Sequence, residues 1–373
     1  MRATPVVAGA LLILTACGGS SSRAAVSPSG GTTAASSSTA SPASTSPAAG
    51  PPALVRCATS PPAGDDLVIG TVVGNSTVVV RDIQDPANAQ TICTFDPAAQ
   101  SPQFVSATRV AYETASNQLI SADLASGATT VIATFTSGFG SGQYSVSPDG
   151  RSVTYLDGNS WRVLGPSVSR VLSTLPAAPG RGVNPDEDDS FLRYSPDGQY
   201  IALFQTFHVG GAGETAPDQI RRAADGSLVY STSAMTMAVW ASTPSRLYFR
   251  DSTGNLHRWD PTTGLSAMTP LHWIRPQSSP DGRWIAYTDR TSGGVGEVGF
   301  YSAQSSTVSS TSPPGRSGVK FLNNDLAWYL GERACSTCFG GLPTPTGATF
   351  VYDIAGAAEV TSRLSGVLDE WPH

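Results

Sequence analysis

One turn keeps returning down this chain, and it constrains the fold more than any other feature. It reads Ser147-Pro148-Asp149-Gly150, Ser195-Pro196-Asp197-Gly198 and Ser279-Pro280-Asp281-Gly282, with a decayed copy at Ser242-Thr243-Pro244-Ser245. Proline presets φ at the second turn position, Asp caps its own backbone, and Gly takes the left-handed position without a steric penalty. A short apolar run follows each copy: Ser152–Leu156, Tyr200–Phe204, Leu247–Phe249 and Trp284–Tyr287. A fixed turn followed by a strand, repeated at a near-constant interval, marks a radial or solenoid repeat.

Three weaker units extend the series. Ser106–Arg109 precedes Val110-Ala111-Tyr112, Asn323-Asn324-Asp325 precedes Leu326–Tyr329, and Ser60-Pro61-Pro62 leads to Leu67–Gly70. The anchors fall at 60, 106, 147, 195, 242, 279 and 323, close to the ~40–50 residues of a four-stranded propeller blade. A second hairpin recurs downstream, as in Leu119–Asp123 with Gly127, Leu256–Asp260 with Gly264, and Phe350–Asp353 with Gly356. The strands expected after these turns are Thr129–Phe135, Leu265–Met268 and Glu359–Leu364. The expected fold is therefore all-β: a seven-bladed β-propeller of four-stranded antiparallel blades.

The Ser-Pro-Asp-Gly turn followed by a strand such as Arg283-Trp284-Ile285-Ala286-Tyr287 resembles the WD40-like repeat of TolB-type propellers. The resemblance covers residues 53 to 373. It implies the fold, and for function a binding platform, a sensor domain or an appendage of an enzyme. The matching residues belong to the family's turn and not to an active site, and a fold is not an activity.

The N-terminus carries an address. Met1-Arg2 and the short apolar run Pro5–Leu14 precede Leu14-Thr15-Ala16-Cys17, which resembles a bacterial lipobox. The run is too short to be retained as a spanning helix, so residues 1–16 are expected to be a cleaved export signal. Cys17 is then the lipid anchor, its acyl chains gaining roughly 0.8 kcal/mol per buried CH₂. Residues 17–52 are almost wholly Ser, Thr, Ala, Pro and Gly, with Arg23 their only charge. Such a segment cannot bury enough apolar surface to offset ordering, and reads as a disordered tether with a relaxed span of about 30 Å. The expected location is extracytoplasmic, on the cell membrane through the anchor.

The formal net charge of −6 lacks the basic footprint that nucleic acid needs. Lys320 is the single lysine among 22 basic residues, which reads as a GC-rich, actinobacterial genome rather than as an arginine-built surface.

With Cys17 assigned to lipid, Cys57, Cys93, Cys335 and Cys338 remain, and three pairings are open. Cys335-Ser336-Thr337-Cys338 lies in a Gly/Pro-rich loop and is expected to close locally. It lacks the helix N-terminus of a redox motif and further ligands for zinc. That leaves Cys57 with Cys93. Cys93 falls in the expected outermost strand of blade one. Were Cys57 in the innermost strand, about 14 Å would separate them, twice the ~7 Å Cα reach of a disulfide. The conflict disappears if Gly366–Trp371 supplies the innermost strand of blade one and Ala53–Thr59 runs over its outer edge.

The search for chemistry returns little. There is no Gly-x-Ser-x-Gly elbow and no Gly-rich phosphate loop. The acidic run Asp186-Glu187-Asp188-Asp189 lacks the spacing of an EF-type calcium loop. His208 opens a Gly-rich loop and reads as a surface residue. Neither a metal nor a cofactor is expected, and no catalytic residue stands out. Arg193, Trp240, His272, Trp273 and Arg275 precede expected turns near inner strands, and are the candidates for contact with a ligand. Gly210–Pro217 and Arg333–Gly347 are the largest departures from a minimal blade, and binding concentrates on such loops. The expected function is a monomeric, non-catalytic binding or scaffold propeller for an envelope protein or glycan. The rivals are a propeller enzyme (carbohydrate lyase or cofactor-dependent dehydrogenase) and a sensor domain modulating a membrane receptor.

Overall fold

Both ends of the described residues meet in one sheet. Blade one is five-stranded, with Val55–Cys57 on its outer edge and Val367–Trp371 innermost, so its outermost strand precedes the ring in sequence and its innermost strand is the last one described. The computed structural model describes residues 53–371 apart from 59–66, 73–76, 107, 136–143, 158–159, 166–167, 175–190, 205, 210–211, 216–217, 233–234, 242–243, 252, 270, 272, 291–294, 335–342, 361, 363 and 365. The export signal, Cys17, the linker, the acidic run, His272, Cys335 and Cys338 lie outside the described residues.

Blade one comprises β1 (Val55–Cys57), β2 (Leu67–Thr71), β3 (Val78–Asp82) and β4 (Gln90–Phe95). Blade two is β5 (Gln100–Ser106), β6 (Arg109–Glu113), β7 (Gln118–Asp123) and β8 (Thr129–Thr134). Blade three is β9 (Tyr144–Val146), β10 (Val153–Asp157), β11 (Ser160–Gly165) and β12 (Val168–Thr174). Blade four is β13 (Phe191–Tyr194), β14 (Tyr200–Phe204), β17 (Asp218–Arg222) and β18 (Leu228–Thr232), with β15 (Thr206–Val209) and β16 (Ala212–Thr215) inserted as a separate hairpin. Blade five is β19 (Thr236–Ala241), β20 (Arg246–Arg250), β21 (Leu256–Asp260) and β22 (Gly264–Ala267). Blade six is β23 (Ile274–Ser278), β24 (Trp284–Asp289), β25 (Glu297–Ser302) and β26 (Thr307–Thr311). Blade seven is β27 (Arg316–Phe321), β28 (Leu326–Arg333), β29 (Thr344–Asp353) and β30 (Ala358–Val360), and β31 (Val367–Trp371) then returns to blade one. The expected last strand, Glu359–Leu364, is shorter and begins one residue earlier.

The repeated turn is a hydrogen-bonded unit. In blade three, Gly150 N donates to Ser147 O (2.8 Å) at φ +69°, and Ser152 N donates to Ser147 Oγ (2.9 Å). Ser147 Oγ in turn donates to Asp149 Oδ1 (2.5 Å). The same contacts recur at Ser195/Asp197/Gly198 and Ser279/Asp281/Gly282. The serine, buried each time, thus joins turn to strand, a role beyond the simple turn propensity of the motif.

Among the described residues, seven apolar clusters form the core, one in each interface between neighbouring blades. Alternation along the second strands feeds them. Leu67 and Ile69 face blade two, whereas Val68 joins Leu322, Trp328 and Val351 of blade seven. Period-two side chains on a sheet with neighbours on both faces require this continuous apolar run. The interface between blades seven and one closes the ring, and β31 pairs with β2 from Leu67↔Trp371 to Gly70↔Val367.

Candidate functional site

Antiparallel order within each blade sorts the connections. First-to-second and third-to-fourth turns share one end of the ring, the turn end. Second-to-third connections and the links between blades share the other, the loop end. The turn end is built from the short units above and from Asp-led turns, in which Asp123, Asp260 and Asp353 accept backbone N–H groups.

Two second-to-third connections are enlarged, and both belong to the loop end. In blade four, β15 and β16 pair with each other from Thr206↔Thr215 to Val209↔Ala212. In blade seven, β28 and β29 continue past a bulge at Leu330 to Arg333↔Thr344. The base of this second arm is fixed to blade six: Glu332, whose side chain is 7% exposed, takes Arg290 Nη2 at 2.6 Å and Gly296 N at 3.3 Å. Of the two segments singled out in the sequence, Gly210–Pro217 and Arg333–Gly347, the described parts (212–215, 333–334 and 343–347) belong to these arms, at one end on blades three apart. The remainder lies outside the described residues.

The innermost strands carry a second repeated feature. In blades two, five, six and seven, a bulge opposes two inner-strand residues to one, and its first residue is left-handed. These are Ser101 (φ 47°), Met237 (φ 48°), Arg275 (φ 47°) and Gly318 (φ 65°). Each lies two residues before the inner-strand residue at which the register resumes: Gln103↔Ala111, Val239↔Tyr248, Gln277↔Ala286 and Lys320↔Trp328. The bulge turns backbone groups toward the neighbouring blade. Ser101 O receives Tyr144 Oη at 2.7 Å, and Met237 O receives Trp273 Nε1 at 3.1 Å. The sequence hints at it only in Pro102 and Pro276, which follow two of the left-handed residues and suit a strand edge or bulge.

The five ligand-contact candidates divide by burial. Trp240 and Trp273 are buried between blades: Trp240 Nε1 donates to Arg193 O (3.3 Å), and Trp273 stacks on Tyr287 at 5.3 Å. Arg193 and Arg275 are exposed on inner strands, while His272 lies outside the described residues. Arg275 combines exposure with a left-handed backbone at the loop end of β23. Periodicity could not separate the two groups, because both faces of an inner strand meet other blades.

Among the described residues, no group of three or more His, Cys, Asp or Glu side chains is placed to hold a metal ion. His257 Nε2 lies 2.9 Å from Asp251 Oδ2, and the ring stacks on Phe249 at 5.6 Å. Hydrogen bonds from Thr253 and then His257 hold the Asp251 carboxyl below the usual carboxylate range. The pair knits β20 to β21, and sequence alone did not join them.

No protein-family model matches the chain, and no curated protein matches it. Solved structures resemble it. TolB from Acinetobacter baumannii aligns at 20% identity with a TM-score of 0.41 over 67% of this chain, which spans 63% of that one. The propeller domain of Cps50 (Swd1) from Myceliophteria thermophila aligns at 14% identity and TM-score 0.48, covering 76% and 94% of the two chains. An oligogalacturonate lyase in complex with manganese aligns at 10% identity and TM-score 0.52, covering 79% and 83%. At such identities the likeness concerns the fold alone.

Proposed function

We propose that the chain is a lipid-anchored protein of the cell envelope whose propeller is a non-catalytic binding platform. Residues 1–16 serve as the export signal, Cys17 as the anchor, residues 17–52 as the tether, and residues 53–373 as the monomeric ring. The partner, an envelope protein or glycan, is engaged at the loop end. The observation that supports this reading is the pair of enlarged hairpins, on blades four and seven, leaving the ring at the same end as every link between blades. A rigid scaffold with variable connections gathered at one end is the arrangement in which loops carry recognition.

The test is cross-linking in intact cells, followed by recovery of the anchored protein. It compares the full chain with variants lacking residues 212–216 and residues 336–343. The expected result is a reproducible partner that disappears with either deletion while the ring keeps its melting temperature. A partner retained by both variants, or none with the full chain, overturns the reading. Replacement of Cys17 with Ser is expected to abolish acyl labelling and release the protein from membranes.

A further inference from the structure

The outer edge of blade one differs from the other six. Among the described residues, β1 is the one fifth strand in the ring, and Cys57 faces Cys93 across the β1–β4 ladder in a disulfide with a Cα separation of 3.9 Å. The strand it covers is also unusual. β4 buries Ile92, Cys93 and Phe95, whereas β8 and β12 bury one residue each and β18, β22, β26 and β30 bury none. Its composition fits a strand inside a sheet.

Besides the covalent bond, the covering segment is held by a short ladder and by the packing of Val55, with Leu54 and Cys57 half-buried against the same apolar cluster. β1 is three residues long. Asp96 N donates to Leu54 O (2.7 Å), Ala58 N to Ile92 O (3.0 Å), and Leu54 N to the Tyr112 hydroxyl of blade two (3.1 Å). Val55, 4% exposed, is its one buried side chain. A strand this short is marginal without a tether, because its ladder scarcely offsets the entropy of ordering.

We propose that the outer edge of blade one is a strand-receiving site whose resident segment, Leu54–Ala58, is locked by the Cys57–Cys93 disulfide and released by a dithiol reductant. Cys57 is half-buried and Cys93 is 1% exposed, so the reductant's thiolate attacks Cys57 Sγ. The Sγ–Sγ bond breaks, a mixed disulfide forms on Cys57, and the electron pair leaves on Cys93 Sγ, which takes a proton in its apolar surroundings. The reductant's second thiol then displaces Cys57 as a thiol, and the reductant departs oxidised. Release uncovers the carbonyl of Ile92 and the N–H of Asp96 along an apolar edge. Such an edge takes back the chain's own segment 53–58, from the same molecule or supplied as a peptide, by strand addition.

The test uses the full chain in three forms: oxidised, treated with dithiothreitol, and Cys57→Ser. Hydrogen exchange is read at Ala58 and Asp96, and at β10 as a reference. The expected result is at least a tenfold loss of protection at Ala58 and Asp96 in the second and third forms, with β10 unchanged. Unchanged protection at those amides, or an equal loss throughout the ring, overturns the proposal. As a second measurement, a peptide of residues 53–58, its cysteine activated as a thiopyridyl disulfide, is offered to Cys57→Ser. It is expected to label Cys93 at least tenfold faster than a scrambled peptide with the same cysteine, and not to label the oxidised chain. Equal rates for the two peptides, or no adduct on Cys93, overturn it.

Discussion

The hydroxyl of Tyr144, at the start of the inner strand of blade three, donates at 2.7 Å to the carbonyl of Ser101, the left-handed residue in the inner-strand bulge of blade two. Tyr144 is 2% exposed. The contact ties one blade's irregularity to its neighbour, as Trp273 Nε1 does with Met237 O three blades on. Tyr144→Phe keeps the ring's shape and strands the Ser101 carbonyl. The expected cost is about 1 kcal/mol, read as a lower denaturation midpoint at unchanged slope. No shift in midpoint would show that water replaces the hydroxyl at no loss.

Gly70 and Gly366 limit how the ring closes. A Cβ on Gly70 would overlap Gly366 O, a backbone atom that also accepts Thr71 N at 2.9 Å. Gly70→Ala must therefore push the C-terminal strand off blade one. Overpacking of this kind costs about 1–3 kcal/mol. The amides of Val367–Trp371 are expected to exchange faster and the C-terminus to become protease-sensitive. A wild-type exchange pattern there would refute the clasp.

In blade seven the Arg316 guanidinium spans from Phe350, 3.7 Å from the ring centroid, to Glu359, which it meets at 2.6 and 3.2 Å. Tyr329 Oη donates to the same Glu359 oxygen at 3.1 Å. Glu359→Gln leaves the guanidinium without its charged acceptor, at a cost of about 2 kcal/mol. Burial first, and the Glu359 carboxylate second, push the Tyr329 hydroxyl upward, so this tyrosine should ionise at lower pH in the variant. Absorbance titration checks the direction.

Alkaline pH should unfold the ring cooperatively. Burial, with Asp289 nearby, pushes Tyr287 up to about 12, and burial also raises Tyr112, Tyr194 and Tyr248. In the unfolded chain these groups ionise near 10. Between the two values the folded state holds more protons than the unfolded one, so stability falls as pH rises, and is fully present below about 10. Tyrosinate absorbance is expected to appear together with the loss of circular dichroism. Ionisation of these tyrosines near 10 in a folded ring would contradict the assignment.

Local chemistry made much of this protein legible from residues alone. Ser147-Pro148-Asp149-Gly150 and its copies satisfy their own hydrogen bonds within six residues, so each announces a turn and a strand wherever it stands. Their near-constant spacing carried the blade number. The outer-edge position of Cys57 followed from strand spacing once it was paired with Cys93, since no arrangement with Cys57 in the inner strand can form that bond. Tertiary structure decided the rest, because the rest depends on residues far apart in sequence. Leu67 meets Trp371 only when the ring closes, and the burial of Trp240 and Trp273 beside the exposure of Arg193 and Arg275 follows from which blade lies against each face. The left-handed bulges at Ser101, Met237 and Arg275 have no sequence signal beyond the prolines after two of them, and at Ser101 and Met237 the neighbouring blade bonds the backbone of a conformation that such residues avoid in isolation.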